Sequence, residues 1–247
     1  MQKESETLFN FDERVIEPIS SGKISKKLKD WFALFPPNQL YPNEQVRTSK
    51  EHSLRHIIKL FIYVNYFGQA AEKYANEAGL KFNLPAQEIN AIFHDSQRLD
   101  DSVDVEHAQR AARKLAELDM HQKIPASPSD IDAAISICPR HNEKPNGNDQ
   151  MDFNLLFFRW CDGLDWVRYE GAAWESEEPT FKEVTAQFLS RIYPSATPEN
   201  VLRSFIVSAR FMDRRVDYLM KEHNISEDSL DVVNICLESG VAAGFLS

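Results

Sequence analysis

The stretch AIFHDSQRLDDSVDVEH, Ala91 to His107, ends an apolar run on a histidine and an aspartate side by side, then reaches a second histidine past an acidic loop. Five of the chain's seven histidines, His52, His56, His94, His107 and His141, fall into an ordered set with carboxylates. His52 and His56 stand four apart, so a helix projects both from one face. His94 and Asp95 close one helical segment, His107 opens the next, and His141 lies just after another. Asp162 and Asp165 lie in FFRWCDGLDWVRY, among aromatic neighbours. A carboxylate buried there is costly unless it is paired or bound to a cation. Asp162 has three uses open to it: a helix cap, an ion pair with Arg159 or Arg168, or a metal. Imidazole with carboxylate suits Mn, Fe, Ni, Co or Zn better than a metal that demands thiolates.

Groups so far apart in sequence meet only if the elements carrying them converge. The periodicity predicts helices to do this. Glycine is scarce, at 8 residues, and strand-like alternation is hard to find. Ile57, Leu60, Phe61 and Val64 form one helical stripe, and Leu202, Phe205, Ile206, Ala209 and Met212 form another. A long helix is expected from near Glu51, and another from LPAQE with Pro85 in its first turn. Further helices are expected over about 105–119, from SPSD to about Cys138, from about Met151 to Tyr169, and twice or three times within 179–238. RHNEKPNGNDQ reads as a loop, and Pro36-Pro37 with YPNEQ sets off an N-terminal segment. The expectation is one all-α domain over 1–247: a core at about 50–170, an N-terminal extension 1–49 and a C-terminal helical part 171–247. In a helical bundle, the inner ends of successive helices bring such side chains to one point.

Bulk properties narrow the chemistry. With 247 residues there is ample chain for a hydrophobic core. A formal charge of -10 argues against a nucleic-acid backbone as partner, yet leaves room for a small phosphate ligand held by a few local cations or a metal. The three cysteines form no CxxC pair, so buried free thiols are expected rather than a disulfide framework or a thiolate zinc site. No window reaches the length of a membrane span, and MQKESETLFNFDERV lacks a signal peptide's layout. A cytoplasmic protein is expected.

The order His56, His94-Asp95, Asp162 resembles the H…HD…D signature of the HD-domain metal-dependent phosphohydrolases. HSLRHI is similar to that family's first-histidine helix, often written HGxxH, with Ser53 where glycine is usual. AIFHDSQR resembles its aaLFHDiGR, and CDGLDWVR its aDaLDxvR. The resemblance covers about residues 50–170 and implies an HD-domain-like helical bundle. It further implies that His56, His94, Asp95 and Asp162 hold one divalent transition metal. Binuclear members add two histidines between the doublet and the last aspartate; His107 and His141 stand in those places, with Asp95 as the bridge.

The implied activity is that of a phosphohydrolase or phosphodiesterase using metal-activated water on a small phosphate ester, such as a nucleotide or a signalling molecule. Arg98 would bind a phosphate oxygen, or else pair with Asp100, Asp101 or Asp104; Arg55 and Lys59 would assist from the first helix. His52 would donate a proton to the leaving oxygen or orient a ligand. Asp165 would hold a partner such as Arg168 rather than a metal.

Two other readings compete. The first helix with FHDSxR also resembles the phosphodiesterase domains of bacterial SidE-type effectors, which act on phosphoribosyl-linked ubiquitin through histidine chemistry. A degenerate HD fold serving as a binding or regulatory module is the other. Beyond about residue 170 the chain carries Trp174, an acidic ESEEP and SARFMDRRVDYLMKEH, whose helical spacing packs one face on the bundle or serves a partner.

Overall fold

The computed structural model describes residues 16–100, 104–120, 124–141, 152–165, 188–190 and 198–247. Trp174, the acidic ESEEP, Asp101, Arg168 and the expected helix end near Tyr169 lie outside them. The chain is all-α, and among the described residues the one β-type contact is an isolated bridge between Ile19 and Leu246. Helices α1 (Ser21–Leu34), α2 (Pro37–Leu40) and α3 (Glu44–Arg47) lead into α4 (Leu54–Ala78) and α5 (Leu84–Phe93). Then come α6 (His107–Met120), α7 (Pro128–Ile137) with a 3-10 turn at Cys138–Arg140, α8 (Phe153–Asp165), α9 (Pro198–Glu222) and α10 (Asp231–Ala242).

Local chemistry sets the boundaries. Asn83 caps α5 by accepting the Ala86 N–H, and Ser127 caps α7 by accepting that of Asp130; each cap is followed by a proline in the first turn. Gly79 ends α4 at φ 66°, a left-handed conformation that costs glycine little, and its N–H returns to the Ala75 and Asn76 carbonyls.

The start of α4 differs from the expectation. Ser49 Oγ accepts the backbone N–H of His52, which keeps residues 51–53 in a turn, and the helix begins at Leu54. His52 and His56 therefore do not share a helix face, although their ring centres are only 6.1 Å apart.

Helix α4 is buried on every side from Leu54 to Gly68, and beyond that only at Ala71 and Ala75. A helix apolar all round belongs in the middle of a bundle, and α1, α5, α8 and α10 pack around it. The closest approach is at Gly68, where an added Cβ would lie 2.5 Å from Leu84 at the start of α5. Aromatic rings of Phe67, Trp160, Phe188 and Phe205 interlock α4, α8 and α9. Each such side chain contributes on the order of 1.5–3 kcal/mol by leaving water. One apolar cluster runs from Ile16 to Leu246. The segments before and after the family-like stretch are thus built into its core: α1 packs on α10, and Ser247 exchanges backbone hydrogen bonds with Ile19 and Ser21.

The expected free thiols are observed. Cys138, Cys161 and Cys236 are unpaired in disulfides and buried. No helix among the described residues is long and apolar enough to cross a membrane.

Candidate metal centre

Five helix ends meet at one place. His56 lies in the first turn of α4, His94 caps the carboxyl end of α5 with Asp95 beside it, and His107 opens α6. His141 follows the 3-10 turn after α7, and Asp162 and Asp165 stand in the last turn of α8. The apolar faces of these helices pack on one another and leave the polar ends turned inward, and His56, His94, Asp95, His107 and His141 are all buried.

Each imidazole is held from behind. The Nδ1–H of His94 donates to the Asn90 carbonyl at 3.1 Å, that of His141 to the Cys138 carbonyl at 2.6 Å, and that of His107 to the Asp104 carbonyl. His56 donates its own to Asp165 Oδ2 at 2.7 Å. Neither a carbonyl nor a carboxylate has a hydrogen to give, so these contacts favour the Nδ1–H tautomer at His56, His94 and His141, while at His107 the Arg98 guanidinium also faces Nδ1. The Nε2 atoms face inward: His56 and His94 Nε2 are 3.2 Å apart, and His107 and His141 Nε2 are 3.4 Å apart.

The carboxylates complete two groups. Asp162 Oδ1 lies 3.5 Å from His56 Nε2 and 3.7 Å from His94 Nε2. Asp95 Oδ2 lies 3.6 Å and 3.2 Å from the same two nitrogens, whereas Asp95 Oδ1 faces the other group, 3.1 Å from His107 Nε2. Asp95 therefore has one oxygen toward each set. Ligands about 2.1 Å from a common ion stand about 3.0–3.5 Å from one another, which is close to the spacing seen. The sets His56, His94, Asp162 and His94, Asp95, His141 each have their ligand atoms within 4.8 Å of one another. Imidazole nitrogens with aspartate oxygens, each anchored by a supporting hydrogen bond, fit a borderline divalent ion.

Electrostatics agree with the geometry. Burial works to raise the Asp95 carboxyl, but the charges of His94 and His52 and the close imidazoles of His107 and His52 hold it well below the usual carboxylate range. Burial pushes His141 down to about 4. Burial also lowers His56, against the pull of Asp165. His94 moves the other way: burial opposes it, yet the charge and hydrogen bond of Asp95 raise it.

The neighbours fall into two kinds. His52 donates from Nδ1 to Asp95 Oδ2 at 3.0 Å, which is an orienting contact. Arg98 lies at the rim, with Nε 3.6 Å from Asp95 Oδ1 and Nη1 3.2 Å from His107 Nδ1. Its Nε is buried without a hydrogen-bond partner among the described residues. Asp104 is taken by Arg110 and by the Leu99 N–H.

Arg55 and Lys59, expected at the phosphate, are placed elsewhere. Both are buried, and their charges are matched by carboxylates of the C-terminal part: Arg55 by Asp217 and Glu227, Lys59 by Asp165 and Asp213. A fully buried cation already paired is not offered to a substrate. Asp165 holds His56 and Lys59.

Arg159, considered as a partner for Asp162, instead donates to the Arg140 and His141 carbonyls at 2.7 Å and 3.3 Å. That clamp, like Asp213, was not visible in the motif. The Asp213/Asp217 spacing of four, mirroring Arg55/Lys59, was the available signal for the second. No protein-family model, curated protein or solved structure matches the chain.

Proposed function

We propose that the chain is a divalent-metal-dependent phosphoric ester hydrolase, a phosphohydrolase or phosphodiesterase of the HD-domain kind. The observation that carries this reading is the set of four imidazoles. Each has its Nδ1 beside a hydrogen-bond acceptor and its Nε2 aimed inward, around an Asp95 with one oxygen toward each pair. His56, His94, Asp95 and Asp162 would hold one ion, and Asp95, His107 and His141 a second, with Mn, Fe, Ni, Co or Zn as the fitting metals. When bound, such ions lower the pKa of water and neutralise charge that grows on phosphoryl oxygens.

The remaining work belongs to side chains. Arg98 at the rim, with a buried Nε that lacks a partner among the described residues, is suited to a phosphate oxygen. The amino ends of α4 and α6 and the carboxyl ends of α5, α7 and α8 all meet at the centre, a balance that favours a bound cation. His52 commits its Nδ1 proton to Asp95, so Nε2 is the nitrogen through which it passes a proton to the leaving oxygen.

The deciding experiment is metal analysis of the purified protein, with hydrolysis of bis-p-nitrophenyl phosphate and p-nitrophenyl phosphate in Mn or Ni. The wild type should carry metal and turn over; Asp95→Ala should lose both. A metal-free wild type whose activity vanishes in His52→Ala would favour the histidine-based phosphodiesterase reading. A metal-free, inert protein would favour a binding module.

A further inference from the structure

Lys59 lies one turn past His56 on α4 and is 0% exposed. Its ammonium sits 2.8 Å from Asp165 Oδ1 and 2.5 Å from Asp213 Oδ1 on α9. The other oxygen of Asp165 accepts the Nδ1–H of His56 at 2.7 Å. Contacts thus run from α9 through Lys59 and Asp165 to an imidazole whose Nε2 faces Asp162 and His94.

Stability alone does not account for a cation buried in this way. Removing an ammonium and two carboxylates from water costs about as much as their attraction returns, and well-packed apolar residues of the same volume are commonly as stable or more so. What a cation adds here is direction. Drawing Oδ1 of Asp165 toward α9 sets the plane of the carboxylate and presents Oδ2 to His56. The Nδ1–H then has one acceptor, and the lone pair stays on Nε2.

Arg55 supplies an internal comparison. One turn earlier on α4, it makes the parallel pairing with Asp217 on α9, but among the described residues its partners Asp217 and Glu227 make no contact with an imidazole of the centre.

We propose that Lys59 and Asp213 are positioning residues of the metal centre. Lys59 holds Asp165 in the orientation that fixes His56, and Asp213 holds Lys59. Helix α9, outside the stretch that resembles the HD family, is then part of what supports the ligands. The inference rests on the metal-centre reading above.

The test is Co(II) titration of the full chain, followed by visible absorption, for wild type, Lys59→Met, Asp213→Asn and Asp217→Asn. Lys59→Met and Asp213→Asn are expected to weaken the class of sites containing His56 by about 10–100-fold. The class built on His107 and His141 should hold its affinity, and Asp217→Asn should match the wild type in both. Such a selective loss is not what general loosening of the fold produces. If Lys59→Met loses its helical circular dichroism, the pair Asp213→Asn and Asp217→Asn decides alone. Equal effects of those two, or wild-type binding by both Lys59→Met and Asp213→Asn, would overturn the proposal. A wild type that takes up no Co(II) would instead sink the metal-centre reading beneath it.

Discussion

The Nε2 atoms of His107 and His141 stand 3.4 Å apart, each ring with its Nδ1 beside a backbone carbonyl. Two ring nitrogens that face each other at this range repel unless a proton or a cation lies near both. Burial pushes His141 down to about 4, which works against its holding a proton and leaves a cation as a fitting occupant. Mn(II) at a hundredfold excess over its Kd should therefore stabilise the fold by about 2.7 kcal/mol. For a chain of this size that is a rise of about 5–10 °C in Tm. His107→Ala should shrink the shift and reduce the metal-to-protein ratio from two to one by elemental analysis. A Tm indifferent to Mn, Ni and Co would count against the centre.

Much of the candidate centre was legible because its residues are chemically conspicuous. His94-Asp95 at the end of an apolar run is an expensive placement that calls for a partner, Asp162 inside another run is only partly buried, and the structure brings all six expected ligand residues together. The supporting contacts were not legible, for physical reasons. Asn90, Asp104 and Cys138 act through backbone carbonyls, which every residue has, so no side-chain pattern announces them. Lys59 and Arg55 read as candidates for phosphate because a cation near a site looks available until its burial is known; α9, far along the chain, supplies the carboxylates that claim them. The helical periodicity gave the elements but not the turn at 51–53, where a single serine hydroxyl overrides the stripe.

The three thiols should be inert in the folded chain. Cys138, Cys161 and Cys236 are buried, and burial pushes all three above the ordinary thiol range, Cys236 to about 12. A thiol reacts as its thiolate. Ellman's reagent should consequently label none of them within minutes under native conditions and all three in guanidinium chloride. Rapid native labelling at one equivalent would show that a thiol is more accessible than its burial indicates.

Asp217 should shape the acid limb of stability. Burial works to raise its carboxyl, but the hydrogen bond and charge of Arg55, with Lys50 and Lys59 beyond, hold it below the usual range. A carboxyl depressed in the folded state contributes stability above its unfolded pKa and loses it as pH falls through the folded value. Its side chain is 44% exposed, so solvent screening limits the contribution to less than about 1 kcal/mol. Asp217→Asn should thus lower stability slightly at pH 7, with a smaller gap from the wild type at pH 3, as urea unfolding at the two pH values would register. A gap that widens on acidification would reverse the assignment.

Arg159 ties the two halves of the centre together. It lies on α8, three residues before Asp162, and its guanidinium donates to the Arg140 and His141 carbonyls, so the helix that carries Asp162 also pins the turn that carries His141. The residue is 7% exposed, and no water-facing substitute can replace those donors. Arg159→Met keeps much of the volume and strands buried carbonyls, at a cost of about 1–3 kcal/mol. His141 would lose its register with His107, whereas Asp162 stays on the α8 backbone facing His56 and His94. The expected outcome is a protein with a lower Tm that still binds one Mn(II) or Co(II) but holds the second about tenfold more weakly. Isothermal titration with the folded variant reads the two affinities separately; an equal loss at both, or at the first alone, would place the role of Arg159 in general packing rather than in holding His141.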